Sequence, residues 1–306
     1  MPPAFRSIAI VGAGAVGTYY GARLGLAGAA VRFLMRSDLA AVQARGAVLI
    51  REQARTLELR PAAVFGSAQE IGPVDLAIVT LKATANGTLP KLLPPLIAAN
   101  TSVLTLQNGL GSDEYIAGIV GAQRVLGGLA FIASTRTGPG EVTCYHPGSI
   151  TLGRFGGAPD ARVYALADQF GAAGVTIRVT DDLLEARWRK LIWNVPFNGL
   201  AVAYNVTTDT LCADPELADE VRELMREVQN AAAELGYIIA DEYLDQQFDV
   251  TPPMGAYQPS SLVDFRAGRE VEVEAIWGEP LRRARAVGLT MPRLSELYER
   301  LKEVTA

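Results

Sequence analysis

The amino-acid sequence predicts an α/β protein in which a doubly wound sheet is followed by an all-helical domain. Three observations predict it. The apolar run Ile8-Ala9-Ile10-Val11 leads into Gly12-Ala13-Gly14-Ala15-Val16-Gly17 and then into a helix-like stretch. Strand and helix patterns alternate up to about residue 178, and beyond Asp181 helical spacing takes over with few strand signals. The N-terminal half, residues 1–178, thus reads as a Rossmann-type, dinucleotide-binding domain, and residues 179–306 as a helical second domain; 306 residues suffice for both.

The first element is the strand at residues 8–11. The glycines that follow it have separate jobs: Gly12 permits the tight turn, Gly14 lets the backbone approach a pyrophosphate, and Gly17 lets helix and strand pack closely. With Ala13, Ala15 and Val16 they present the free N–H groups of a helix start to phosphate charge. The second strand, residues 31–36, ends in Arg36, where NAD-binding proteins place an acid about twenty residues beyond the glycine motif. An acid there accepts from a ribose 2′-hydroxyl and repels a 2′-phosphate, whereas a guanidinium forks onto the phosphate, so Arg36 points to NADP(H). Asp38 is near enough to serve a ribose and keeps the NAD alternative open.

Residues 48–50 and 57–59 read as short strands, 74–80 as a buried parallel strand and 102–106 as the next, with a helix expected over 89–98. Strand-rich, glycine-punctuated sequence from Gly127 to Gly153 finishes the sheet. Helices are then expected over residues 183–200, 215–235, 271–287 and 294–304, with 251–255 the most evident irregular stretch.

Composition narrows the function. A net charge of −5 offers no basic field for nucleic acid, and no apolar run approaches the ~20 residues that span a bilayer. Cys144 and Cys212, with no C-x-x-C and no paired-histidine spacing, argue against a disulfide scaffold or a metal site. The glycine loop begins so close to Met1 that a cleaved signal peptide would destroy it, so the cytoplasm is expected. His146, the sole histidine, sits in a Pro-Gly turn and is expected to make a structural hydrogen bond. Exposed faces of the second-domain helices are available for pairing as a homodimer.

The pattern that carries chemistry is Lys190, Asn194 and Asn198, spaced by four, so that each lies about 40° around the helix from the last. Trp188, Leu191, Ile192, Val195 and Leu200 make the same helix apolar, which favours a ligand-binding stripe; a solvent-facing Lys/Asn edge is the alternative. Pro196 is expected to interrupt the helix and kink its axis.

The chain resembles the ketopantoate reductase (2-dehydropantoate 2-reductase) family over nearly its whole length. The resemblance is carried by the glycine loop, Arg36, Leu81-Lys82, Gln107-Asn108-Gly109, His146-Pro147-Gly148 leading to Gly153, Lys190 with Asn194 and Asn198, and Ser260 ahead of Asp264-Phe265-Arg266-Ala267-Gly268-Arg269 and Glu272. It implies NADPH-dependent reduction of the small 2-oxo acid 2-dehydropantoate to pantoate, a step of pantothenate and coenzyme A synthesis, with substrate between the domains. Lys190 is implied as general acid, and Glu272 as the glutamate that orients it or binds substrate. Asn108 and Ser260 would donate to the substrate carboxylate or hydroxyl, while Asn194 and Asn198 would contact its polar end. Lys82 and Asn108 are implied to face the cofactor as well. To donate near neutral pH, Lys190 needs a pKa well below the ordinary value of about 10.4. Thr208 stands where a family asparagine is expected, which leaves part of the substrate pocket open. Reduction of another branched 2-oxo acid, an opine-type reaction and a non-catalytic NADP(H) sensor are the competing readings.

Overall fold

The computed structural model describes residues 4–53 and 55–306, which form two compact units. The first comprises Met1–Gln107 and Ser112–Leu183; the second comprises Asn108–Gly111 and Leu184–Ala306.

In the first unit, one sheet holds β1 (Ser7–Val11), β2 (Ala30–Leu34), β3 (Val48–Glu52), β4 (Arg55–Leu59), β5 (Ala63–Phe65), β6 (Val74–Val79), β7 (Ile97–Thr105), β8 (Val125–Gly138), β9 (Glu141–Arg154) and β10 (Thr176–Val179). Their order is β4-β3-β9-β8-β7-β6-β1-β2-β5, with β10 paired to β9. The expected domain boundary after residue 178 falls inside β10; the compact unit runs on to Leu183. β1 lies between β2 and β6, parallel to both. The chain therefore builds outward from one side of β1 and returns to the other, which opens a crevice at the carboxyl ends of β1 and β6, where sheets of this kind bind ligands.

The alternation of side chains along β1 explains why this strand is central. Ile8 and Ile10 enter one apolar cluster with Tyr20, Phe33 and Phe170, while Ala9 and Val11 enter another with Leu89, Leu93 and Ile116. Both faces are covered, as parallel strands require. The cover comes from α1 (Ala15–Leu26), α2 (Leu39–Arg45), α3 (Ala68–Ile71), α4 (Leu89–Leu92), α5 (Ser112–Val120) and α6 (Ala161–Ala172). The helix expected over 89–98 is only the single turn α4: Pro94 and Pro95 cannot continue it, and Ile97 already belongs to β7. β2 likewise ends at Leu34, so Arg36 lies in the turn beyond the strand.

The second unit contains α7 (Leu183–Tyr204), α8 (Thr208–Ala213), α9 (Pro215–Glu234), α10 (Asp241–Asp249), α11 (Ser260–Arg266), α12 (Glu279–Ala286) and α13 (Pro292–Val304), with a π-helical turn at Glu274–Gly278 ahead of α12. The helix expected from residue 271 thus begins later, leaving Glu272 in the segment that enters the turn. α7 is the axis of the unit, with Trp188, Ile192, Val195, Phe197 and Leu200 all fully buried. It continues through Pro196 instead of stopping there, because it is packed against neighbours along its length. Trp277 donates its indole N–H to the Val195 carbonyl at 2.9 Å, and only a glycine at 199 leaves room, since a Cβ there would lie 2.7 Å from the indole nitrogen.

Cys144 and Cys212 are both free thiols. Among the described residues no helix is long and apolar enough to cross a membrane, and no cluster of histidine, cysteine and acidic side chains could hold a metal ion.

Candidate active site

At the end of β1 the chain turns through Gly12 at φ +106°, a conformation open to glycine and strained for other residues. A Cβ on Gly12 would lie 2.6 Å from the Leu81 amide nitrogen, and one on Gly17 would overlap the Gly12 carbonyl oxygen. Thr80 seals the contact by donating its hydroxyl to that same carbonyl at 2.6 Å. Gly14 differs, because a Cβ there would project into open space with no atom within 4 Å. The first helical hydrogen bond of α1 runs from Thr18 N–H to the Gly14 carbonyl at 2.9 Å, so the amides of Ala15, Val16 and Gly17 precede it as donors. With Ala13, Ala15 and Val16 only partly buried and no acid in the first turn, a pyrophosphate fits this cradle. Lys82 is exposed just beyond β6, beside the residues that support the loop.

Arg36 is exposed in the turn after β2. Asp38, two residues on, is buried and fully engaged: its carboxylate accepts from Ser37 Oγ at 2.9 Å, Gly140 N–H at 2.9 Å, Arg136 Nε at 3.0 Å and Arg136 Nη2. Burial works to raise its pKa, and the bonds from Arg136, Gly140 and Ser37 outweigh burial and hold it low. The carboxylate that could have served a ribose is therefore spent inside the protein.

The second unit gathers the other set of polar groups. Lys190 Nζ donates to Asn108 Oδ1 at 3.0 Å. Burial of the ammonium, followed by the charge of Arg187, lowers its pKa to about 7 against the opposing pull of Glu272. Arg187 lies three residues earlier on α7, only 3% exposed, and makes a long 3.5 Å bond to the Gly109 carbonyl. Gly109 has φ +76°, and a Cβ on it would overlap the Ala275 carbonyl, which also accepts from Leu110 N–H at 2.9 Å. The Asn108–Gly111 loop is thus clamped between α7 and the π-helical turn, and buried Glu272 lies at the mouth of that turn.

Asn198 spends its side-chain carbonyl on α11, accepting from Ser261 N–H at 3.0 Å and, at 3.5 Å, from Ser260 Oγ. Asn194, one turn from Lys190, is 6% exposed, and its amide has no hydrogen-bond partner among the described residues. Of the residues anticipated from sequence, Lys190, Asn108 and Glu272 come together, Ser260 meets Asn198, and Asn194 keeps its amide unspent between the two groups. Thr208 has a different task from the one its position suggested. Fully buried, it donates its hydroxyl to the Gly255 carbonyl at 2.9 Å and its N–H to the Tyr257 carbonyl at 3.1 Å, pinning the irregular 251–257 stretch. His146 is exposed on β9, and its imidazole makes no hydrogen bond among the described residues, contrary to the expected structural bond. Arg187 was not anticipated, although a cation three residues before Lys190 in so apolar a helix is a legible signal.

Residues 8–157 match the family model described as Ketopantoate reductase PanE/ApbA, and residues 182–305 match Ketopantoate reductase PanE/ApbA C terminal. The chain belongs to the ketopantoate reductase family. Similar ketopantoate reductases include the 2-dehydropantoate 2-reductase of Nostoc sp., 39% identical over 303 residues that cover 97% of this chain and 94% of that one. Another, from Mesorhizobium japonicum, is 30% identical over 297 residues and 88% of each chain. The crystal structure of 2-dehydropantoate 2-reductase from Geobacter metallireducens GS-15 superposes with a TM-score of 0.95 at 41% identity, covering 98% of this chain and all of that one (100%). Ketopantoate reductases are NADP-dependent oxidoreductases, and the cradle at Gly12–Gly17 offers the donors that such a cofactor needs.

Proposed function

We propose that the chain reduces 2-dehydropantoate to pantoate with NADPH. The observation that carries this reading is Lys190, an ammonium with a pKa of about 7 held by a neutral amide in a family of keto-acid reductases. Gly12, Ala13, Gly14, Ala15, Val16 and Gly17 would hold the pyrophosphate, Arg36 the 2′-phosphate, and Lys82 would add positive charge at the crevice. Bound NADPH supplies a hydride from C4 of its dihydronicotinamide.

Reduction of a ketone builds negative charge on its oxygen, and Lys190 is suited both to stabilise that charge and to supply the proton. At neutral pH an acid of this strength exists in both forms, which is the condition for efficient proton transfer in either direction. Asn108 orients the ammonium, and Glu272 opposes its loss of charge. Asn194 would donate its unspent amide to the polar end of the substrate, with Ser260 and the amide nitrogen of Asn198 beside it. Neutral donors suit this task because they orient an oxygen without adding charge.

The test is spectrophotometric. Purified protein with NADPH and 2-dehydropantoate should lose nicotinamide absorbance and yield pantoate. Silence with this substrate, alongside turnover of other 2-oxo acids, would overturn the substrate and leave the chemistry standing.

A further inference from the structure

We infer that Arg136 is a second cationic arm of the 2′-phosphate subsite, and that Asp38 serves as the holder of this arm instead of as a ribose ligand. The inference deepens the nucleotide reading above and rests on it.

Arg136 comes from the far end of β8, about a hundred residues from the turn it meets, and three observations fix its place. Its Nε and Nη2 both face the Asp38 carboxylate, a side-on fork that sets the plane of the guanidinium. The hairpin that carries it is itself anchored, since Gly140 donates its N–H to Asp38 at 2.9 Å and Arg45 donates to the Pro139 carbonyl at 2.7 Å and to Glu141 at 2.9 Å. Gly140 has φ +60°, and a Cβ there would run into Val42 of α2, so the hairpin tip sits hard against the segment after β2. The remaining nitrogen, Nη1, lies on the side of the guanidinium turned away from Asp38 and has no partner among the described residues. Side-chain exposure divides the pair sharply, at 46% for Arg136 and 6% for Asp38. The acid, two residues along the chain from exposed Arg36, is hidden, while the cation that it orients reaches solvent.

This arrangement explains how an acid can sit so near the end of β2 without selecting the unphosphorylated dinucleotide. A carboxylate with four donors has no site left for a ribose hydroxyl, and the guanidinium in front of it presents donors to a phosphate dianion. Removal of Arg136 exposes the carboxylate, which then repels the phosphate and accepts from the hydroxyl of NADH.

Binding, without turnover, tests the inference. Calorimetric dissociation constants would be measured for adenosine 2′,5′-bisphosphate, 5′-AMP, NADPH and NADH on the wild type, Arg136→Ala and the double variant Asp38→Ala/Arg136→Ala. Arg136→Ala should weaken the bisphosphate and NADPH by about 10-fold or more, the scale of one lost charged hydrogen bond, while 5′-AMP is unchanged and NADH binds as well as before or better. The double variant should stay weak for the bisphosphate, because the direct donor is still missing. A wild-type NADPH-to-NADH ratio in Arg136→Ala, or full recovery of bisphosphate binding in the double variant, would overturn the contact. Because each ratio is read on one protein sample, partial misfolding lowers both terms together. Failure of the wild type to bind either dinucleotide would overturn the nucleotide reading itself, and this inference with it.

Discussion

Lys190 Nζ and Asn108 Oδ1 lie 3.0 Å apart, an ammonium in the body of α7 held by an amide from a loop 82 residues earlier in the chain. An amide oxygen fixes the direction of an ammonium without adding a negative charge. A carboxylate in its place would hold the proton more tightly and make a poorer acid.

Replacing Lys190 with alanine should therefore reduce kcat by about 100-fold or more, the range of lost general-acid catalysis. NADPH affinity, measured by fluorescence titration, should change little. Nearly unchanged turnover would remove the lysine from the mechanism.

The acid must carry its proton to act, so kcat should be level below pH 7 and fall through the pKa of about 7, approaching tenfold per unit above it. Arg187→Met removes a like charge and should move this descending limb to higher pH. Stability follows the opposite slope. Between about 7 and the ordinary lysine value of about 10.4, the unfolded chain binds a proton that the folded one does not, so stability rises with pH across that window. Lys190→Met should abolish the rise, as thermal melts at a series of pH values would report; a rise of the same size in the variant would contradict the lowered pKa.

Asn194 and Asn198 share a helix face and should respond differently to alanine. Asn198 caps α11, so its loss should cost about 1 kcal/mol of stability, as other caps do. Among the described residues the Asn194 amide has no hydrogen-bond partner, and its loss should leave the melting temperature within experimental error while raising KM for the keto acid about tenfold, the worth of one hydrogen bond. A large drop in stability for Asn194→Ala would mean that its amide serves the fold.

Arg36→Ala should weaken NADPH by about 10- to 100-fold, the value of a hydrogen bond to a charged group, and leave NADH nearly unaffected. Equal losses for the two dinucleotides would show that the guanidinium never meets a 2′-phosphate.

Much of this was legible in the sequence because it depends on local spacing. The Gly12-to-Gly17 loop, the buried strand ahead of Leu81 and the i, i+4 row of Lys190, Asn194 and Asn198 are all set within a few residues of chain. What escaped depends on distant partners. Asp38 left a ribose contact open as an alternative, which Arg136, 98 residues further along the chain, closes by occupying its carboxylate. Thr208 read as a substitute pocket residue, although its hydroxyl belongs to a carbonyl 47 residues away. The helix over 89–98 failed for a local reason, since Pro94 and Pro95 end what the apolar spacing suggests.

The four residues Asn108–Gly111 count with the helical unit although the chain on either side of them counts with the sheet. The two halves of this protein are consequently not interchangeable cassettes. A hybrid spliced near residue 183 would pair the amide of one parent with the lysine of the other, and a fragment starting there would carry its acid without the group that aims it. A cut that keeps the acid together with its aiming amide has to carry residues 108–111 along with the helices.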